Sequence, residues 1–582
     1  MVDMIDIKSL KHEILGNGSY MQGPYGERLI TYADYVASGK YVRFLENYYI
    51  KLYETYANTH TTDDITGRFT TGLYNDALAK IKKAVGANKN YSIIPVGTGA
   101  TGAIDKLSKI LGIYKTPEYF RQRELYVENS QYKSTEKNFL MSVDKDFHRQ
   151  RPVVFISSYE HHSNELQWRE GHAEVVKIGL DNDGLFDLND LKRRVSDPKY
   201  THRLKIGSFS AASNVTGLKT PVYDVAKIMH QHGGYVFFDY AACGPYVEIN
   251  MCTDKDAYFD GIYLAMHKFL GGPSSSGILV LNKQLYNKSN PPTTAGGGTV
   301  RFVTEANQYY LAEIEEREAA GTPGIMQVIR AALALELKHE IGIQTIENIE
   351  SGFIEKAISE LRKISNIELL GNLDANKRLA VLSFNIRHKD GYLHYGFVSS
   401  LLNDLFGIQS RAGCACAGPY GIKLLNIEAK KLKLIEEAVL VGNTAMKPGW
   451  VRVNFHYTMD TKAFDYIIAA IKFIAKYGYQ FLNEYRVDIR KGTWTHKQLK
   501  NQSTPILNLK DAWAIERVSL KTQKHNYDHS YDKYLYDAEQ IRKALPPVDR
   551  KQRLFGKRSL SEASWFYHAD STEIVIKILP NK

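Results

Sequence analysis

The 582 residues leave room for roughly three or four domain-sized units. A content of 44% hydrophobic and 12% aromatic residues with 17 prolines supports large cores and excludes a disordered or collagen-like chain. The formal charge of +11 is uneven: residues 486–582 hold 19 Lys and Arg against 11 Asp and Glu, a surplus of 8, and the rest carries the remaining +3.

The opening stretch MVDMIDIKSLKHEIL sets acids among its apolar residues, which does not suit a secretory signal. Residues 1–30 read as an N-terminal arm. A large domain is expected over 31–315, where short apolar runs alternate with helical periodicity. The runs at 153–156, 206–209, 235–238, 261–265 and 277–281 are rich in β-branched and aromatic residues, as buried strands of a mainly parallel sheet are. Helices are expected over 103–113, with Ile104, Leu107, Ile110 and Leu111 on one face, and over 221–232, closed by Gly233-Gly234. Residues 114–150 form a polar, Tyr- and Lys-rich insertion without a clear period.

From 316 to 484 the pattern changes to a smaller α+β domain, with long helices over 324–341 and 345–365 and a strand over 379–386. The segment 485–582 is expected to be a separate basic extension, broken by Pro546-Pro547 and ending in a strand over 573–579. Its charge would attract a polyanion such as nucleic acid, although a solvated surface is the plainer reading. No apolar run reaches the ~18 residues of a membrane-spanning helix. Four cysteines make no disulfide framework, so a cytoplasmic setting is expected.

Three short stretches carry chemistry. The glycine-rich turn Gly97-Thr98-Gly99-Ala100-Thr101-Gly102 leads into a helix, whose free N–H groups suit a phosphate. An ordinary strand–helix turn would look the same. Asp239 ends an apolar strand, at the sheet edge where α/β folds bind ligands, and a protonated pyridine nitrogen is one partner a buried acid accepts. His267-Lys268 follows another strand, and a desolvated lysine there is a candidate Schiff-base amine.

Cradle, strand-end acid and His-Lys come in the order of fold-type I pyridoxal-phosphate enzymes, and the chain resembles the class V aminotransferase and cysteine desulfurase family. Glu160-His161-His162-Ser163-Asn164 is similar to its E-H-x-x-N stretch, and Ser213-Asn214-Val215-Thr216-Gly217 to its S-N-V-x-G loop. Gly296-Gly297-Gly298-Thr299 and Ala320-Gly321-Thr322-Pro323 match two further segments. The resemblance covers about residues 32–479. It implies a large α/β domain around a mainly parallel seven-stranded sheet, a smaller C-terminal α+β domain, and pyridoxal 5'-phosphate as cofactor. Asp239 would keep the pyridine nitrogen protonated, Lys268 would hold the aldehyde and shuttle the Cα proton, and His161 would cover the ring. Thr101, His267 and amides near Ala100 would hold the phosphate, Asn214 would lie at the cofactor and substrate, and Thr299 would reach the neighbouring subunit's phosphate in a homodimer. The chain departs from many relatives at Ala265, where they carry a phosphate-binding Ser, and at Ala242, where they carry a Gln.

Ser410-Arg411-Ala412-Gly413-Cys414-Ala415-Cys416-Ala417-Gly418 is similar to the R-x-G-x-x-C-A loop of cysteine desulfurases, and its C-x-C spacing to molybdenum-cofactor sulfurases. That resemblance makes Cys416 the nucleophile taking sulfur from L-cysteine as a persulfide, with alanine released and a sulfur-acceptor protein downstream. Arg411 would lend positive charge to the thiol. Arg452, in Trp450-Val451-Arg452-Val453-Asn454, would bind the substrate carboxylate. An aminotransferase or amino-acid lyase without sulfur transfer, a non-enzymatic scaffold, a zinc site shared with Cys243 and Cys252, and inert packing thiols remain as alternatives. No metal is expected.

Overall fold

The computed structural model describes residues 6–59, 61, 63–97, 99–129, 138, 147–499, 530–547, 563–567 and 573–575. Thr98 of the glycine-rich turn and residues 576–579 of the expected last strand fall outside them.

A seven-stranded sheet organises the first half of the chain. Its strands are β1 (Tyr91–Val96), β2 (Val153–Ile156), β3 (Glu174–Lys177), β4 (Lys205–Ser210), β5 (Tyr235–Asp239), β6 (Gly261–Ala265) and β7 (Gly277–Asn282), in the order β1-β7-β6-β5-β4-β2-β3. β7 runs antiparallel to both its neighbours, and the other pairings are parallel. Every residue of β2, β4, β6 and β7 is buried. Helices cover both faces of such a sheet, which is why these strands read as continuous apolar runs rather than alternating ones. Because β4, β5 and β6 are parallel, their carboxyl ends share one edge. That edge brings Ser210, Asp239 and Ala265 together.

A six-stranded sheet forms the second core. Arg411–Gly413, Trp450–Asn454, Val381–His388, Gly391–Leu393 and Phe566–Tyr567 follow in that order, and Ile367–Leu369 also pairs with Val381–His388. Phe566–Tyr567 belongs to the segment expected to stand apart. The described residues of that segment instead pack into the second core. Tyr485–Asp488 pairs with Thr493–His496 and with Glu573–Val575. Helix Ser530–Ala544 buries Tyr534 and Ala538, and the Tyr534 hydroxyl accepts the Leu29 N–H at 3.0 Å. The surplus of charge hid these isolated apolar positions.

The insertion also differs from its reading. Residues Pro117–Asn129 form a helix. Proline suits a first helical turn, and an exposed Glu118–Arg121 pair lies one turn in. The side chains described along it are exposed, and among them none marks a buried stripe that would imprint a period on the sequence.

Candidate active site

At the shared edge lies a cavity of about 180 Å³, lined by 14 residues that include Gly99, Ala100, Thr101, His161, Ser163, Asn214, Asp239, His267 and Lys268. One wall is the start of helix Gly99–Ile110. Gly99 has φ +55°, and a Cβ there would meet the His267 ring at 3.1 Å. Across from it, a Cβ on Gly277 would lie 2.2 Å from the Gly99 carbonyl oxygen. The two glycines let strand β7 and the helix start approach, and the helix's first residues, whose N–H groups have no partner within the helix, line the cavity. Thr101 Oγ1 and Ser163 Oγ are 2.7 Å apart, and Ser163 Oγ is 3.1 Å from His161 Nδ1. The site therefore ends in a row of hydroxyl and amide donors, which suits a phosphate.

The opposite end is electrostatic. Asp239 is buried and, among the described residues, the Ala241 N–H at 2.8 Å is its one hydrogen-bond donor. Burial raises its pKa, with the Ala241 hydrogen bond and the Lys268 charge pulling the other way. Lys268 is lowered to about 8, first by burial, against the attraction of Asp239. Burial and the nearby Lys268 charge lower His161 to about 4, so its ring is neutral at pH 7. Beneath these residues Glu160 accepts from Ser157 N and Oγ, Asn164 Nδ2, and Ser210 N and Oγ, between 2.5 and 3.1 Å. Asn164 Oδ1 in turn accepts from Trp168 and Ser208. This network fixes the floor on which His161 and Ser210 sit, although burial still raises Glu160 to about 7.

The cysteine loop joins the cavity through its backbone. Asn214 Nδ2 donates to Ala415 O at 2.7 Å, His162 N to Cys416 O at 2.8 Å, and Gly418 N to His162 Nε2 at 3.0 Å. Ala415 and Cys416 both have positive φ, +48° and +56°, a conformation that costs non-glycine residues of order 1 kcal/mol or more each. The Cys416 side chain is exposed, whereas Cys414 is half-buried. Cys243 is fully buried, and among the described residues no group of three or more His, Cys, Asp or Glu gathers as metal ligands would.

Cys416 does not itself line the cavity, and Thr299 and Arg452 also stand apart from it. Thr299 is buried and its Oγ1 donates to its own turn at Gly296 O, 2.7 Å away. Arg452 is buried, donates to Asp34 Oδ1 and to Asn214 O at 2.7 Å each, and does not line the cavity. Asp34 also takes Arg411 Nε, at 2.8 Å on its other oxygen. Arg411 and Arg452 face each other directly across paired strands, so Asp34 separates two like charges. The sequence reading passed over Asp34, as it did Ser163 and Ser210 as lining residues. Asp34 reaches the site because Thr31–Tyr32 pairs in parallel with Ile408–Gln409. Ala242 and Ala265, the two departures, both line the cavity.

These side chains fit pyridoxal phosphate. A donor row suits the phosphate, a buried carboxylate with one protein partner suits the ring nitrogen, and a desolvated amine stands beside it. A profile of the family described as aminotransferase class-V matches residues 134–466, more than half of the chain. The chain belongs to the class V aminotransferase family. Its members depend on pyridoxal phosphate. The glycine-rich turn precedes the matched stretch. A probable cysteine desulfurase of Streptomyces coelicolor is 26% identical over 407 residues, 68% of this chain and 86% of the relative. A cysteine desulfurase of Escherichia coli is 30% identical over 272 residues, 46% of this chain and 62% of the relative. Among solved structures, cysteine desulfurases of Thermococcus onnurineus and Escherichia coli each superpose with a TM-score of 0.59, at 21% and 19% identity. They cover 77% and 81% of this chain, and 95% and 98% of their own, which shows the shared fold.

Proposed function

We propose that this class V enzyme is a cysteine desulfurase, and that Cys416 receives the sulfur. The observation that carries the reading is the exposed Cys416 thiol on a loop whose backbone is hydrogen-bonded to His162 and Asn214, beside the Lys268–Asp239 cavity. Bound pyridoxal phosphate supplies an electron sink for charge left on the amino-acid carbon skeleton. Asp239 would hold the ring nitrogen's proton, Thr101, Ser163, His267 and the Gly99–Ala100 amides would hold the phosphate, and neutral His161 would cover the ring. Lys268, with its pKa lowered to about 8, is poised to carry a proton near neutral pH. The Cys416 thiolate attacks the sulfur of L-cysteine; the carbon–sulfur bond breaks, the carbon takes a proton and leaves as alanine, and Cys416 keeps a persulfide. Asp34 holds Arg452 and Arg411 at the edge of the site, where Arg452, which also reaches Asn214 O, would bind the substrate carboxylate and Arg411 would lend positive charge to the thiol.

The persulfide then passes to an acceptor protein. The active form is a homodimer: Tyr41, Phe44, Tyr48, Tyr53, Tyr56 and Phe69 leave an exposed aromatic face on and around helices Arg43–Tyr53 and Ile65–Ala84, which a second copy would cover. Thr299 would serve the partner's phosphate. Four free thiols suit a cytoplasmic setting.

The test measures alanine and sulfide released from L-cysteine under a reductant. Cys416→Ala should abolish both while the cofactor absorbance persists. Unchanged alanine release would refute Cys416 as the sulfur acceptor, and a keto acid formed in place of alanine would point to a lyase or aminotransferase.

A further inference from the structure

A second cavity, of about 90 Å³, lies where the N-terminal arm, the 458–463 turn and the C-terminal helix meet. Lys11, Lys40 and Lys462 line it, with Asp460 as its acid, and Lys11 is ion-paired to that Asp460. Tyr32 and Tyr531 add hydroxyl-bearing rings, and the Tyr531 hydroxyl accepts the Thr31 hydroxyl. Liquid water takes roughly 30 Å³ per molecule, so the space suits one phosphate- or carboxylate-sized group.

Lys40 is the telling side chain. It is half-buried, its ammonium lies 4.2 Å over the Tyr32 ring, and among the described residues no carboxylate or hydrogen-bond acceptor meets it. Burial lowers its pKa with no compensating acid nearby. A partly desolvated cation seeks an anion. The backbone at this point is also tied to the catalytic loop: Gly39 N donates to His267 O and Gly271 N to Lys40 O, at 2.9 and 2.8 Å. Most of the cavity's lining, Lys11, Tyr32, Lys40 and Tyr531 included, comes from outside the stretch the family profile matches.

We propose that this cavity is an oxyanion-binding site, separate from the cofactor's, in which Lys40 holds a phosphate or carboxylate group against the Tyr32 and Tyr531 rings. Titration calorimetry on the full chain saturated with pyridoxal phosphate tests it, with inorganic phosphate and acetate as separate probes. Phosphate binding alone marks a phosphate site, and acetate binding alone a carboxylate site. Lys40→Met should weaken whichever binds at least tenfold, and Lys40→Arg should keep most of the affinity. Circular dichroism and retained cofactor absorbance show that the variants fold. Absence of binding for both probes, or equal binding by Lys40→Met, would overturn the assignment.

Discussion

Removing Asp34 tests how the two guanidiniums at the site's edge are held. Among the described residues its carboxylate is the one acid paired with Arg452, whose side chain is 4% exposed, and with Arg411, whose side chain is 48% exposed. In Asp34→Ala, Arg452 keeps its bond to Asn214 O, but its charge is left buried opposite a second arginine. Breaking a buried pair from one side costs about 3–5 kcal/mol. The Arg411 share is small, because an exposed pair is worth about 1 kcal/mol or less. The expected loss is therefore about 3 kcal/mol, nearly all of it through Arg452. Urea unfolding of the cofactor-saturated protein, followed by circular dichroism, reads it as a lower midpoint at constant slope. Asp34→Asn, which keeps an acceptor but no charge, should fall between. If Asp34→Ala unfolds at the wild-type midpoint, the pairing carries no stability and Arg452 is held by its packing instead.

Two further predictions concern the cavity itself. Lys268 has its pKa lowered to about 8 from 10.5, so between those values the unfolded chain binds a proton that the folded one does not, and the native contribution grows as pH rises. In cofactor-free protein, Lys268→Met should be more stable than wild type below about pH 8, and the gap should close toward pH 10.5; a gap independent of pH refutes it. Gly277→Ala would press a Cβ to 2.2 Å from the Gly99 carbonyl oxygen and push the helix start off β7. Overpacking of this kind costs about 1–3 kcal/mol, and the displaced amides should weaken pyridoxal phosphate binding at least tenfold by absorbance titration.

Much of this architecture could be read from the residues in order. The strands 153–156 and 261–265 appear with the bounds their apolar runs suggested, because a strand buried on both faces leaves no ambiguity of pattern. The glycine-rich turn, Asp239 and Lys268 stood out because each follows such a strand, whereas Thr101, His161 and Asn214 were placed at the site by the family resemblance. Asp34 was not. Its role depends on a two-residue pairing between segments nearly 380 positions apart, and nothing local marks it. The resemblance gave Arg452 the substrate carboxylate, but the acid it pairs with, Asp34, lies at the far end of the chain. The helix at Pro117–Asn129 left little trace because the side chains described along it are exposed and mark no apolar stripe. In the tail, Tyr534 and Ala538 on one helix and Ala563 and Phe566 nearer the chain's end enter a distant core, and short apolar clusters set among so many charges look solvent-facing.

The tail's placement sets a practical boundary. Phe566–Tyr567 supplies the outermost rung beside Gly391–Leu393, and Tyr534 braces the backbone at Leu29. A shortened version cut to the family-matched stretch would bare a sheet margin and leave hydrophobic side chains wet. Whoever trims this protein for expression should expect an insoluble product, and a tag belongs where it does not disturb that last rung.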